Sequence, residues 1–470
     1  MDAGLYPAVY LALVPLLLRT MGFEVFGLWI LLNQVVTILQ ALNLNLGVTA
    51  IKTVSFYSAA DDQDKVNDTI NGLFHITVAL LFIALIAGLV PGYFAVKNGW
   101  WGLNSATVTN VFLCVVISTI IGGLRYFDQV CQNIFKAKER FKLASILNMI
   151  NRFGLLFITL GLALLKYSLL IILWGNLVYI SCYILVQFIL IQKVIPYYKP
   201  GKLKDKTEYK SLIRFSIWPW LQTLIIILTF QTDRFWVAMF AGLKEVSSYG
   251  LVSTMFNHIN IIFTAMALWM MPRIAAMTSR GEDPSALYHK VRGVLFGIII
   301  FSLLLFYLVA PFLFRFWIGA DTYNHMKPYI GAFVAFEIVF THTILPFFYL
   351  NAAGKEQVAT YLTLLYCAAT YICMIGGLYI FMNTVSLVQG MTLSLCFTMP
   401  VINAVVQKIM HGTWSLKKTV LEMLPTYAAI VIVYSQNIWV TVLSGLILIG
   451  FLWKYYLSNV FQKGLWKQII

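Results

Sequence analysis

Charge is what this 470-residue chain has least of. Charged residues make up 11% of it, against roughly a quarter in soluble domains, and that shortage excludes an ordinary water-soluble globular protein. Cysteine is sparse too. The six cysteines, at 114, 131, 182, 367, 373 and 396, fall within or at the ends of apolar stretches with no CxxC spacing. Neither a disulfide framework nor a zinc site is expected from them. The first apolar stretch has no basic lead and no small-residue cleavage site after it, so it is expected to be a retained helix and not a signal peptide.

What fills the chain is apolar. Hydrophobic residues make up 60% and the mean hydropathy is +0.83. Runs of about 20 such residues are long enough to cross a hydrocarbon core of roughly 30 Å at 1.5 Å per helical residue. About fourteen recur, at 3–19, 25–46, 70–95, 106–131, 142–165, 168–192, 213–240, 247–272, 292–317, 327–350, 357–381, 385–410, 420–436 and 438–457. A lone strand in lipid would leave its backbone unpaired, so each span is expected to be helical. The fold class is an all-α polytopic membrane protein.

The formal charge of +15 invites a nucleic-acid reading, and the positions of the basic residues argue against it. With the N-terminus inside, 24 Lys and Arg residues fall in inner loops, 6 in outer loops and 3 within spans. Such a bias is the signature of membrane orientation and predicts cytoplasmic termini, with no nucleic-acid partner. The densest basic run, "KVIPYYKPGKLKDKTEYKSLIR" at 193–214, reads as an inner-leaflet anchor.

Two stretches look like copies. "GFEVFGLWILLNQVVTILQ" (22–40) and "GLKEVSSYGLVSTMFNHINIIFTAM" (242–266) each place a Gly, a Glu-Val and a Gly before a long apolar helix, and Gly27 aligns with Gly250 at an offset of 223. "FKAKERFK" (135–142) aligns with "LNAAGKEQ" (350–357) at an offset of 215. Six spans per copy keep both copies in one orientation, related by an axis along the membrane normal. The expected organisation is an N-terminal six-helix lobe (1–192), a basic linker (193–212), a C-terminal six-helix lobe (213–411) and an added helix pair with a tail (412–470).

Polar residues recur at helical spacing: Ser253, Asn257, Asn260 and Thr264 on the eighth span, and Arg125, Asp128, Gln129 and Gln132 on the fourth. Each set makes one wet face on a greasy helix. Amides there can simply join helices, but a charge at a helix centre costs roughly 2.5–3.5 kcal/mol. Arg125, Arg152 and Arg234 against Asp128, Asp233 and Glu337 balance within the spans, and Arg19, Lys52 and Arg273 near helix ends tip the balance positive. Arg125 and Asp128 share a face and are expected to form a local ion pair. Asp233 and Arg234 point about 100° apart on a helix, so each needs a different partner. Glu337 has no basic neighbour one turn away and is the candidate for coupling to a proton. His75, His258 and His342 are expected to be hydrogen-bonded packing or lumen residues.

Several stretches, in order, resemble the Wzx-type polysaccharide-export flippases, a branch of the multidrug/oligosaccharidyl-lipid/polysaccharide exporter superfamily. They are "LLLRTMGFEVFGLW" (16–29), "NLGVTAIKTVS" (45–55), "QNIFKAKERFKLASILNMINRFG" (132–154), "TDRFWVAMFAGLKEVSSYGL" (232–251), "MPRIAAM" (271–277) and "LNAAGKEQ" (350–357). The resemblance implies two six-helix lobes around a central cavity that moves undecaprenyl-diphosphate-linked oligosaccharide, such as O-antigen repeat units, across a bacterial inner membrane. It implies as partners the lipid-linked substrate, membrane lipids, an H⁺ or Na⁺ counter-ion and the polysaccharide polymerase and chain-length machinery, and no cofactor. An anionic diphosphate cannot cross hydrocarbon unaided, and fixed cations in a polar lumen lower that barrier. Arg19, Lys52, Arg125, Asp128, Arg152, Asp233, Arg234, Asn257, Asn260 and Arg273 are the candidate lumen residues, with Lys52 and Arg273 at the cytoplasmic mouth.

A related H⁺- or Na⁺-coupled multidrug exporter would share the fold, although a cavity for cationic drugs would be more acidic. A membrane polymerase or glycosyltransferase needs a sizeable outer loop with catalytic groups. The longest outer loops here, near 97–107 and 319–327, hold one carboxylate between them, and no carboxylate dyad, metal-ligand cluster or nucleophile–base pair is present. An enzyme is not expected.

Overall fold

A computed structural model of the chain describes residues 2–44, 46–101, 108–201, 207–412, 414–435, 444–445 and 450. Among them there is no strand. The helices of the first half are α1 (Asp2–Met21), α2 (Phe23–Gln40), α3 (Leu46–Ala59), α4 (Gln63–Lys97), α5 (Val108–Ala137), α6 (Phe141–Leu164), α7 (Leu169–Val194) and α8 (Thr207–Gln231). α9 (Asp233–Ala267) follows, then α10 (Met270–Ser279), α11 (Ser285–Ile318), α12 (Ala320–Phe340), α13 (Ile344–Ala352), α14 (Glu356–Phe381), α15 (Thr384–His411), α16 (Leu416–Glu422) and α17 (Leu424–Tyr434).

Ten stretches of the described residues are long and apolar enough to cross a membrane. One of them, Trp220–Ser279, is 60 residues long and covers the seventh and eighth expected spans, while Tyr6–Met21 and Leu424–Tyr434 are shorter apolar helices. The fourteenth expected span, 438–457, lies outside the described residues apart from 444–445 and 450. Large apolar side chains stand exposed along the helices, for instance Phe82 and Ile86 on α4, Leu185 and Ile189 on α7, and Phe312 and Phe316 on α11. Only a hydrocarbon environment satisfies such surfaces, and the chain is a multi-pass membrane protein.

The repeat seen in two short stretches extends over the helices α2 to α7, which recur from the second part of α9 to α15. α2 and α3 are followed, 223 residues on, by the second part of α9 and by α10; α4 corresponds to α11, α5 to α12–α13, α6 to α14 and α7 to α15. The turns repeat with the helices. Backbones of positive φ at Gly22, Asp61, Gly99, Glu139 and Lys166 recur 215 to 220 residues later at Gly242, Gly281, Gly319, Gly354 and Met382. Gly22 (φ 74, ψ 165) and Gly242 (φ 80, ψ 178) occupy a region essentially open to glycine alone. Gly22 starts α2, and Gly242 breaks α9 at the matching point. Apolar length alone places α3 and α10 in loops or at span ends. The structure makes them helices in their own right, each too short to register as a span.

The chain forms two compact units, Met1–Gly250 and Leu251–Ile470. In the first, α5 packs on α2, α3, α4, α6 and α7, and Tyr126, Val130, Ile134 and Phe135 of α5 lie in its apolar core with Leu39, Ile70, Leu147 and Ile191. Gly27 and Gly250 serve close approach within this unit: a Cβ on Gly27 would sit 2.0 Å from the Leu243 carbonyl oxygen, and one on Gly250 2.9 Å from Ile30. In the second unit α12 packs on α11, α15 and α17. The innermost helix of each unit therefore also carries charged residues, Arg125 and Asp128 on α5 and Glu337 on α12.

Candidate functional site

The break between α8 and α9 sets the first charged pair. Helix α8 stops at Gln231, so Asp233 opens α9 in place of lying mid-helix. A carboxylate in a first helical turn meets unsatisfied N–H groups and the positive end of the helix dipole. Asp233 accepts from the Arg234 backbone N–H at 2.8 Å and from the Tyr249 hydroxyl at 2.6 Å. Arg234 donates to Gln231 at 3.2 Å, and Gln231 also accepts from Gln34 on α2. Both charged residues are buried, at 2% and 3% exposure. They do take different partners, as adjacent helix positions require.

Asp128 on α5 is held differently from expectation. The carboxylate accepts from Asn151 on α6 and from Gln187 on α7, each at 2.8 Å. No ion pair between Arg125 and Asp128 within 4.0 Å is found among the described residues; the acid's partners there are the amides of the neighbouring helices. Gln187 also donates to the Tyr183 hydroxyl at 2.8 Å, as does Gln132, and Tyr183 in turn donates to the Leu147 carbonyl at 2.9 Å. The Arg125 Nε is buried with no hydrogen-bond partner among the described residues.

Around these arginines stand two tyrosines. Tyr6 and Tyr10 of α1 stack with ring centroids 6.0 Å apart, and Phe153 meets Tyr6 edge-on at 5.8 Å. The Arg152 guanidinium lies 5.6 Å from the Tyr6 ring centre, within cation–π range. The charge of Arg125 reaches Tyr6 and Arg152, and that of Arg234 reaches Tyr10. Arg152 of α6 thus stands against the aromatic face of α1, and Arg125 of α5 and Arg234 of α9 lie within electrostatic reach of its tyrosines.

In the second unit Asn260 on α9 donates to Glu337 at 2.7 Å, and Thr264 donates to Asn260 at 3.4 Å. Glu337 is 2% exposed. Ser253 is buried, whereas Asn257 is exposed. His342 bonds to Thr426 of α17 at 2.7 Å, the packing role expected of it. Arg19 ends α1 and Arg273 lies on α10, both exposed. Lys52 stands on α3, but its side chain lies outside the described residues. Among the described residues no three His, Cys, Asp or Glu side chains gather as a metal site.

Sequence reasoning missed Tyr6, Tyr10, Asn151, Gln187, Tyr183 and Tyr249. Tyrosine and single amides are common in apolar helices, and only the fold brings these to the charged residues.

No curated protein matches the chain. Among solved structures it resembles an inward-facing multidrug resistance MATE family transporter of the MOP superfamily (TM-score 0.69, 14% identity, 88% of this chain and 96% of that one). It also resembles the lipid II flippase MurJ in an inward closed conformation (TM-score 0.69, 13% identity, 99% and 98%). A third is the MATE multidrug transporter DinF-BH (TM-score 0.59, 12% identity, 87% and 94%). At these identities the likeness shows the fold alone, a polytopic one like that of MATE and MurJ. Residues 7–278, more than half of the sequence and the part that holds the arginine cluster, match the family described as polysaccharide biosynthesis protein, and the chain belongs to that family.

Proposed function

We propose that the protein is a flippase for lipid-diphosphate-linked oligosaccharide repeat units of a surface polysaccharide, working by alternating access between the lobes 1–192 and 213–411 in a bacterial inner membrane with both termini cytoplasmic. One observation carries this reading. Arg125, Arg152 and Arg234 stand on α5, α6 and α9 of the first unit within electrostatic reach of Tyr6 and Tyr10, while Asp128 is held by Asn151 and Gln187 and Asp233 by Tyr249 and the Arg234 backbone N–H. Three guanidinium groups against two carboxylates leave the cluster positive, and guanidinium groups bind diphosphate through charge-assisted, often bidentate hydrogen bonds. Arg19, Lys52 and Arg273 add cations near helix ends, and Asn257 and Asn260 supply amide groups for sugar hydroxyls. The family membership supports a role in polysaccharide synthesis.

The fold is equally that of multidrug exporters, so the test must separate the two. In a strain lacking its own repeat-unit flippase, the wild-type chain is expected to restore surface glycan, and Arg125→Gln/Arg152→Gln to fail at matched membrane levels. Restored drug efflux with no restored glycan would replace the reading with an exporter.

A further inference from the structure

At the end that the basic residues place inside, the start of the third helix of each repeat holds what lies at or after the end of the sixth. In the first unit Asn67 and Asn71, one turn apart on α4, hold the segment after α7. Asn67 donates to the Tyr197 carbonyl at 3.3 Å and accepts from the Lys199 N–H at 2.9 Å. Asn71 donates to the Lys199 carbonyl at 3.1 Å and accepts from the Gly201 N–H at 3.2 Å. In the second unit the matching helices α11 and α15 are joined by two rungs. Arg292 of α11 pairs with Glu422 of α16 at 2.7 Å, and Gln407 of α15 donates to the same acid at 3.2 Å. One turn nearer the helix ends, His289 of α11 bonds Nε2 to Nε2 with His411 of α15 at 3.3 Å.

The two histidine rings are nearly parallel, at 7°, with centroids 5.6 Å apart. The centroids are farther apart than the nitrogens by about two ring radii, so the rings stand end to end and one N–H points at the other's lone pair. Such a gap holds one hydrogen. An imidazole beside an imidazolium still fits, because the extra proton sits on an outer nitrogen. Two imidazoliums do not: each Nε2 then carries a hydrogen, and like charges face one another. Asp283, in the turn before α11, has a charge that reaches both rings and can offset one of them; its carboxylate accepts from the Ser285 N–H at 2.9 Å and hydroxyl at 2.6 Å. We propose that His289 and His411 form a proton-operated latch, closed at neutral pH, which opens when both rings are protonated and frees the inner ends of α11 and α15 in an acidified cytoplasm.

Other charged groups on the elements packed there include Lys290, Lys408, the Arg292–Glu422 pair and Glu356 at the start of α14. Tyr288 meets the His289 ring edge-on at 5.6 Å, and Tyr349 of α13 packs on Tyr288. Of these side-chain types only histidine ordinarily changes charge between pH 5 and 8. The second proton binds the closed pair more weakly than it binds two separated imidazoles. The hold is therefore complete at neutral pH and is lost as pH falls below the ordinary histidine value of about 6.5. The amides of the first unit do not titrate, so its closure is a built-in control.

The latch needs no substrate, so its test leaves the flippase reading untouched. Amide hydrogen exchange, corrected for intrinsic rates, is followed in the full-length protein in detergent at about pH 7.5 and about pH 5.5, over residues 285–293 and 405–412 and, as control, 195–201. In the wild type the first two segments should exchange roughly three- to tenfold faster at the lower pH, as for the loss of one hydrogen bond, and the control should not respond. His289→Gln/His411→Gln, which can bond through its amides, should be protected at both pH values, and His289→Ala/His411→Ala should be loose at both. His342, deeper and bonded to Thr426, is kept throughout. No response in the wild type, an equal response in the control, the wild-type response in the Gln variant, or unchanged protection at neutral pH in the Ala variant would each overturn the proposal. So would loss of protection at neutral pH on adding EDTA, which would mark a metal ion between the rings in place of a proton.

Discussion

Asp233 and Arg234 show how a membrane helix tolerates adjacent opposite charges. In a continuous span each would cost roughly 2.5–3.5 kcal/mol. Stopping α8 at Gln231 turns Asp233 into a helix-start residue, bonded to a backbone N–H and to Tyr249. Tyr249→Phe should therefore destabilise the protein by about 1–3 kcal/mol, the cost of stripping a partner from a buried acceptor, read as a lower melting temperature with the fold retained. Arg234→Lys keeps the charge and loses the planar fork, so it is expected to leave membrane levels near wild type and reduce surface glycan. Arg125 and Asp128 give a sharper test. The two are not paired, so Arg125→Leu/Asp128→Leu should be no more active than the worse single variant; recovery in the double would restore the ion-pair account. The charged residues were legible in the sequence because charge is rare there. Their partners were not, because helical spacing shows which residues share a face but not which other helix that face meets.

Among elements, the helix series is where sequence reading succeeded best. Apolar length found every long described helix, and two short matches at offsets of 223 and 215 found a repeat that the positive-φ turns now extend from Gly22 to Met382. The misses have a common cause: α3, α10 and the break at 231–233 are set by local turns, not by apolar length. Close packing of α14 on α15 depends on small residues. A Cβ on Gly377 would come within 2.5 Å of the Ser386 carbonyl oxygen and one on Gly390 within 2.1 Å of that of Cys373, in both cases backbone that cannot swing aside. Gly390→Leu should cost at least the roughly 1–3 kcal/mol typical of overpacking, seen as a sharp drop in membrane protein level. Within the second unit α16 is tied to α11 by Arg292 and Glu422, paired at 2.7 Å with Gln407 of α15 donating to the same acid at 3.2 Å. Removing Glu422 strands a buried guanidinium, at a cost of about 3–5 kcal/mol for such pairs. Glu422→Leu should be less stable than Arg292→Leu/Glu422→Leu, as measured by thermal unfolding in detergent.

For the whole molecule, the distribution of basic residues argues the orientation. A reporter fused after Lys204 is expected in the cytoplasm and one after Asn324 in the periplasm; the opposite pair of readings would reverse every assignment of a mouth to a side. The fold is like that of MATE and MurJ transporters and the family is one of polysaccharide biosynthesis, and the arginines near Tyr6 and Tyr10 suit the anionic cargo proposed for it. The most direct measurement is the sidedness of lipid-diphosphate-linked repeat units, read by a membrane-impermeant probe of the glycan in cells with and without the protein. The account predicts that without it the units accumulate in the inner leaflet, beyond the probe, and that the wild-type chain exposes them while Arg125→Gln/Arg152→Gln does not. Equal exposure in cells with and without the protein would contradict it.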